Sequence, residues 1–214
     1  MSQNALERLC RIYWRPIYSF ICRRGENPHD AEDLTQAFFS SLIERETIKK
    51  AEREKGKFRT FLLAALTNFL ADEWAKQRCL KRGGGYQIVP LTNLEEDGWR
   101  EPVSSLDPET VFDRRWALSL IHQVTSRLSR EFAEAGKSQL FEALQPIMAQ
   151  ELIAEQCAAI ASATGMSEGA IKVALHRLRR RFGQLLREEV AQTVSTAGEI
   201  DDELRHLFAA MEGL

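Results

Sequence analysis

The sequence predicts an all-α protein: two small helical modules joined by a flexible acidic linker, the second module containing a helix-turn-helix. Three observations lead there. Apolar residues recur at helical spacing in nearly every periodic stretch, and no stretch sustains strand alternation. Residues 83–110, "GGGYQIVPLTNLEEDGWREPVSSLDPET", combine a glycine triplet, three prolines and turn-forming residues with little periodicity, as a linker does. The third is "CAAIASATGMSEGAIKVALHRLRRRF", residues 157–182, where a small residue, a turn glycine, a capping serine and a basic amphipathic stretch follow one another.

In chain order, 5–23 carries Leu6, Leu9, Ile12, Tyr13, Ile17 and Phe20 close to the i, i+3, i+4 pattern of a helix with one apolar face. "NPHDAEDLTQAFFSSLIER" opens with Asn27 as N-cap and Pro28 at the first helical position. Asp30, Glu32 and Asp33 then lie near the positive helix end. Its continuation holds Leu34, Phe38, Phe39, Leu42 and Ile43, more apolar surface than one face requires, which serves either the module's core or a partner. The pattern returns at Phe58, Phe61, Leu62, Ala65, Leu66 and Phe69. Beyond the linker, Phe112, Trp116, Leu120, Ile121, Val124 and Leu128 mark a further helix. A break at "EAGKS", a short helix near 138–148 and two more helices from 151 follow. The tail places Ile200, Leu204, Leu207 and Phe208 on one helical face.

Composition narrows the function classes. A chain of 214 residues with 44% hydrophobic and 28% charged residues can bury one large core or two small ones. The N-terminus lacks the blocks of a signal peptide, and "FLLAAL" is too short to cross a bilayer, so the expected location is cytoplasmic with no membrane segment. Cys10, Cys22, Cys79 and Cys157 are scattered, with no zinc spacing, which predicts reduced thiols and no metal. No Ser/His/Asp set appears, and "KRGGGYQ" lacks the Lys-Ser/Thr ending of a phosphate loop and follows a helix. The chain is therefore expected to be neither an enzyme nor a cofactor binder.

The net charge of −2 hides an uneven distribution. Residues 48–82 carry ten bases against four acids and 164–187 six against one, whereas 26–46, 93–113 and 188–214 are acidic. Two separated basic blocks suit nucleic-acid contact at two places.

The second block can be placed on a helix-turn-helix. Ala161 allows close helix packing, Gly165 takes the turn, and Ser167 caps the following helix. On that helix Ile171, Leu175, Leu178 and Phe182 share a narrow arc, and Gly169, Val173, His176, Arg177 and Arg180 point away from it. Arginines on that face can pair with guanine edges in a major groove, and the flanking Lys172 and Arg179 can meet phosphates. The plainer alternative is a surface helix with snorkelling arginines.

Three stretches also resemble one family. "DAEDLTQAFFSSLIE" is similar to the polymerase-binding helix of bacterial RNA polymerase sigma factors. "FRTFLLAALTNFLADEWAKQR" resembles their promoter-opening helix, including an Asn68/Asp72 pair, and "MSEGAIKVALHRLRRRF" resembles the helix-turn-helix of their region four. Their order matches the short two-module form of the extracytoplasmic-function group. The glycine triplet at 83–85, the "EAGKSQLFEALQPIM" insertion and the tail exceed that form and resemble a related sigma-like subgroup. Ala37, Phe61 and Thr67 depart from the acid, tryptophan and arginine common at those positions.

The resemblance implies region two at 1–82, a linker at 83–110, region four at 111–192 and an acidic extension at 193–214. It implies docking on core RNA polymerase, at the beta-prime clamp through Asp30, Asp33, Leu34, Gln36 and Phe38, and at the beta flap. Promoter DNA would meet Lys57, Phe58, Arg59, Asn68, Asp72, Trp74, Lys76 and Arg78 as an opened strand. Trp74 is free either to stack on a base or to pack on a neighbouring helix. The upstream element would be read as duplex by Ser167, Gly169, Lys172, Val173, His176, Arg177, Arg179 and Arg180. The tail either covers part of the protein or binds a regulator such as an anti-sigma factor. The competing reading is a helix-turn-helix regulator that binds duplex DNA without being a polymerase subunit.

Overall fold

The computed structural model describes residues 3–44, 57–80 and 106–212, and these residues contain helices and no strand. The helices are α1 (Gln3–Arg23), α2 (Pro28–Glu44), α3 (Phe58–Leu80), α4 (Pro108–Glu134), α5 (Ser138–Leu144), α6 (Ala154–Thr164), α7 (Glu168–Ala191) and α8 (Ala197–Met211). A single 3-10 turn covers Gln145–Ile147. Most of the expected linker, with its glycine triplet, lies outside the described residues.

Helix ends follow local chemistry. Asn27 caps α2, its Oδ1 accepting the Asp30 N–H at 3.0 Å. α4 begins at Pro108 because Asp107 caps it, accepting the N–H groups of Glu109 at 3.0 Å and Thr110 at 2.9 Å. The Thr110 hydroxyl, together with those bonds, holds the Asp107 carboxyl below its ordinary value. Gly165 ends α6 with φ +67°, the left-handed turn that glycine adopts without strain. Ser167 Oγ then accepts the Ala170 N–H at 3.3 Å at the start of α7.

The folded chain divides into two compact units that do not follow the linear modules: residues 1–119 with 191–214, and residues 120–190. In the first, Ile12, Tyr13, Ile17, Phe20 and Ile21 of α1 are buried, as are Leu34, Phe38, Phe39 and Leu42 of α2. Leu62, Leu66 and Leu70 of α3, Phe112 and Trp116 of α4, and Leu204 and Leu207 of α8 join them. Aromatic pairs tie these helices together: Trp14 stacks on Phe39 at 5.6 Å, Phe38 meets Phe69 at 5.4 Å, and Phe20 meets Phe112 edge-on at 6.4 Å.

In the second unit, Leu120, Val124 and Leu128 of α4 are buried, with Phe141 and Leu144 of α5, Cys157 of α6, and Ile171, Leu175, Leu178, Leu185, Leu186 and Val190 of α7. Arg181 binds Glu131 through two bonds of 2.8 Å each, and Arg127 reaches Glu188 at 3.0 Å and the buried Glu189 at 3.5 Å. No helix among the described residues is long and apolar enough to cross a membrane.

Candidate nucleic-acid interface

In the first unit, α2 sorts its residues by face. Asp30, Asp33 and Gln36 are exposed, whereas Leu34 and Phe38 are core residues, at 8% and 1% exposure. The surplus apolar surface noted in the sequence therefore belongs mostly to the core. Ile43, 48% exposed, is what remains of it. It completes a stripe with Asp33, Gln36, Ala37 and Ser40 at helical spacing, acidic at one end and apolar at the other.

Along α3, Asn68, Asp72 and Lys76 are exposed, and Lys76 pairs with Glu73 at 2.7 Å. Trp74 is half-buried, and its indole N–H donates to Glu26 at 2.6 Å, which anchors it to the α1–α2 connection. The Arg78 side chain lies outside the described residues.

The start of α3 is differently placed. Arg59 is 7% exposed: its Nε donates to Glu203 at 2.9 Å, its Nη1 to Asp113 at 2.5 Å, and its guanidinium lies 5.2 Å from the Trp116 ring centre. Lys57 Nζ is 3.2 Å from the same Glu203 carboxylate. The Phe58 N–H donates to the Thr193 carbonyl at 2.9 Å, and its ring meets Tyr13 edge-on at 5.6 Å. His206 Nε2 lies 2.7 Å from the other Asp113 oxygen. Desolvation, with the Glu203 charge beside it, pushes the Tyr13 hydroxyl well above its ordinary value.

Residues 9–79 match Sigma-70 region 2. The matched segment takes in most of α1 and α3 and all of α2, so the exposed α2 stripe and the Lys57–Arg59 element both lie within it. Glu203, Asp113 and Thr193, which hold that element, lie outside it. Comparisons with curated proteins and with solved structures find no match.

In the second unit, the outer face of α7 is a continuous stripe of Gly169, Lys172, Val173, His176, Arg177 and Arg180, all exposed. Among the described residues none of its four basic side chains has a hydrogen bond or ion pair. Ile171, Leu175 and Leu178 are buried opposite, and Phe182 is half-buried. Arg179 leaves the stripe. Its guanidinium donates to the carbonyls of Met148 at 2.9 Å, Ile147 at 3.1 Å and Gln150, and so caps the 3-10 turn.

Glu203, Asp113, Glu26 and Ile43 have no counterpart in the sites read from sequence. Helical periodicity flags Ile43 as surplus to one face. Nothing local signals that Glu203 meets Arg59, 144 residues away.

Proposed function

We propose that the chain is a sigma factor of the extracytoplasmic-function type, binding core RNA polymerase, recognising promoter DNA and initiating transcription in the cytoplasm. The observation that carries this reading is the Sigma-70 region 2 match at residues 9–79. Two arrangements support it. The exposed stripe of Asp33, Gln36, Ala37, Ser40 and Ile43 is available for docking on the polymerase clamp. The unpaired basic stripe on α7 follows a capped turn, as in a helix-turn-helix that enters a major groove, where arginine meets guanine edges and lysine meets phosphate. On this reading Lys76, Asn68 and Asp72 face the opened strand, and Leu34 and Phe38 shape the docking helix from within.

The second reading, a duplex-binding regulator that is not a polymerase subunit, is favoured by the α7 stripe taken alone. Co-elution with core polymerase, followed by run-off transcription from a promoter template, separates the two. A sigma factor co-elutes and makes transcription depend on the promoter. Duplex binding without co-elution leaves the regulator.

A further inference from the structure

We propose that α8 is an intramolecular antagonist of strand capture: Glu203 occupies, with a carboxylate, the cations at the start of α3 that a DNA phosphate would use. The proposal rests on the reading of α3 as the strand-contacting helix and adds how that contact is regulated.

Carboxylate and phosphate are alternative partners for the same guanidinium fork. Glu203 is 1% exposed and holds both Arg59, at 2.9 Å, and Lys57, at 3.2 Å, so with α8 seated the buried Arg59 is closed to a strand and the part-exposed Lys57 is already paired. The Thr193 carbonyl, just ahead of α8, also takes the Phe58 N–H. His206 of α8 contacts Asp113, so the same helix steadies the second carboxylate on Arg59.

The joint is poorly suited to a purely structural role. Among the described residues Glu203 Oε2 is buried without a hydrogen bond, and the Lys57 ammonium lies 3.2 Å from it. Buried ion pairs recover little more than their desolvation cost, and well-packed apolar residues close an interface as well or better. Apart from its charges, α8 is seated by the buried Leu204 and Leu207, the half-buried Ile200 and Met211 and the His206 ring 6.3 Å from that of Trp116, while Asp201, Asp202, Arg205 and Phe208 are exposed. A helix with only two fully buried apolar side chains among its described residues and an incompletely satisfied ionic joint is suited to detach when a competing anion arrives.

The test compares the full chain with Glu203→Gln, which removes the charge at constant size, and Leu207→Ala, which loosens α8 without touching the cations. Binding of a short fluorescein-labelled DNA single strand is measured by anisotropy, for the chain alone and with core polymerase, across a salt series. Both variants should bind more tightly, and the slope of log affinity against log salt should steepen by about 0.7 for each of the two cations released. Adding Lys57→Ala to Leu207→Ala should remove part of the gain. If strand binding is present, falls on Lys76→Ala, and is equal in the unaltered chain and both variants, the antagonist role is wrong and the reading of α3 stands. If no folded form binds the strand, the reading of α3 fails and the proposal with it. Should neither variant keep its helix content, hydrogen exchange on the unaltered chain decides: loss of protection in α8 on adding the strand supports the proposal, and unchanged or increased protection overturns it.

Discussion

Arg179 donates its Nε to the Met148 carbonyl at 2.9 Å, whereas Arg177 and Arg180 beside it are exposed and, among the described residues, have no hydrogen bond or ion pair. With two further bonds, to Ile147 and Gln150, it ties α7 to the turn after α5. Arg179→Ala should therefore lower the unfolding free energy by about 1 to 3 kcal/mol, as loss of charged-group hydrogen bonds does. It should leave the salt slope of duplex binding unchanged. Urea unfolding and salt-dependent anisotropy measure the two effects separately.

Residues of the free stripe should behave in the opposite way. Arg177→Ala or Arg180→Ala should cost about 1 to 3 kcal/mol in binding the upstream element and relax its sequence preference. Lys172→Ala should weaken all sequences alike and flatten the salt slope by about 1. Equal losses on every sequence from all three would make α7 a non-specific patch.

Glu131 introduces a pH dependence. The Arg181 bonds hold its carboxyl below the ordinary value of 4.5 in the folded chain, and the unfolded chain restores that value. The pair therefore contributes its full stability above pH 4.5 and loses it as pH falls through 4.5 and then through the lower folded value. Glu131→Gln should be less stable than the unaltered chain at about pH 7, and the gap should narrow by about pH 3. Denaturant midpoints at the two pH values provide the comparison.

Two glycines of the second unit should respond with opposite signs. Gly165→Ala forces a side chain into the left-handed turn at φ +67° and should destabilise by about 1 to 2 kcal/mol. Gly183 sits inside α7, where an added Cβ meets nothing within 4 Å, so Gly183→Ala should stabilise by about 0.5 to 1 kcal/mol. Thermal unfolding of both variants checks the pair.

Docking and strand opening should fail differently in transcription. Alanine at Asn68 or Lys76 should be rescued substantially by a template with a pre-melted bubble, because the strands no longer have to be held apart. Alanine at Asp33 or Gln36 should not be rescued, since an undocked protein brings polymerase to neither template. Phe38→Ala belongs to neither set. Its ring is 1% exposed, and its loss should cost about 3 to 5 kcal/mol of stability, read by helix content before any activity.

Most of this architecture was legible because it depends on short-range pattern. Asn27, Ser167 and Gly165 act within a few residues of their partners, and the Ile171, Leu175 and Leu178 arc follows from helical angles alone. The division of labour among the basic residues was not legible. Arg177, Arg179 and Arg180 look equivalent in sequence, and what separates Arg179 is a set of carbonyls some thirty positions upstream. Arg59 resembles Lys76 until α8 is placed against it. The face of α2 was half legible: periodicity marks Leu34, Phe38 and Ile43 as apolar, but only packing decides which of them the core takes up.

The Arg59–Glu203 pairing also sets an order of assembly during synthesis. Its partners are separated by 144 residues, so at roughly 5 to 20 residues per second the carboxylate is made about 7 to 29 s after the guanidinium. Residues 120–190 are contiguous and hold all of their own core, whereas the unit around Trp116 waits for α8 to be translated. Until then the nascent chain presents an uncovered indole and the Lys57 cation, with Arg59 neutralised by Asp113 alone, a surface that chaperones and ribosomal RNA are able to engage.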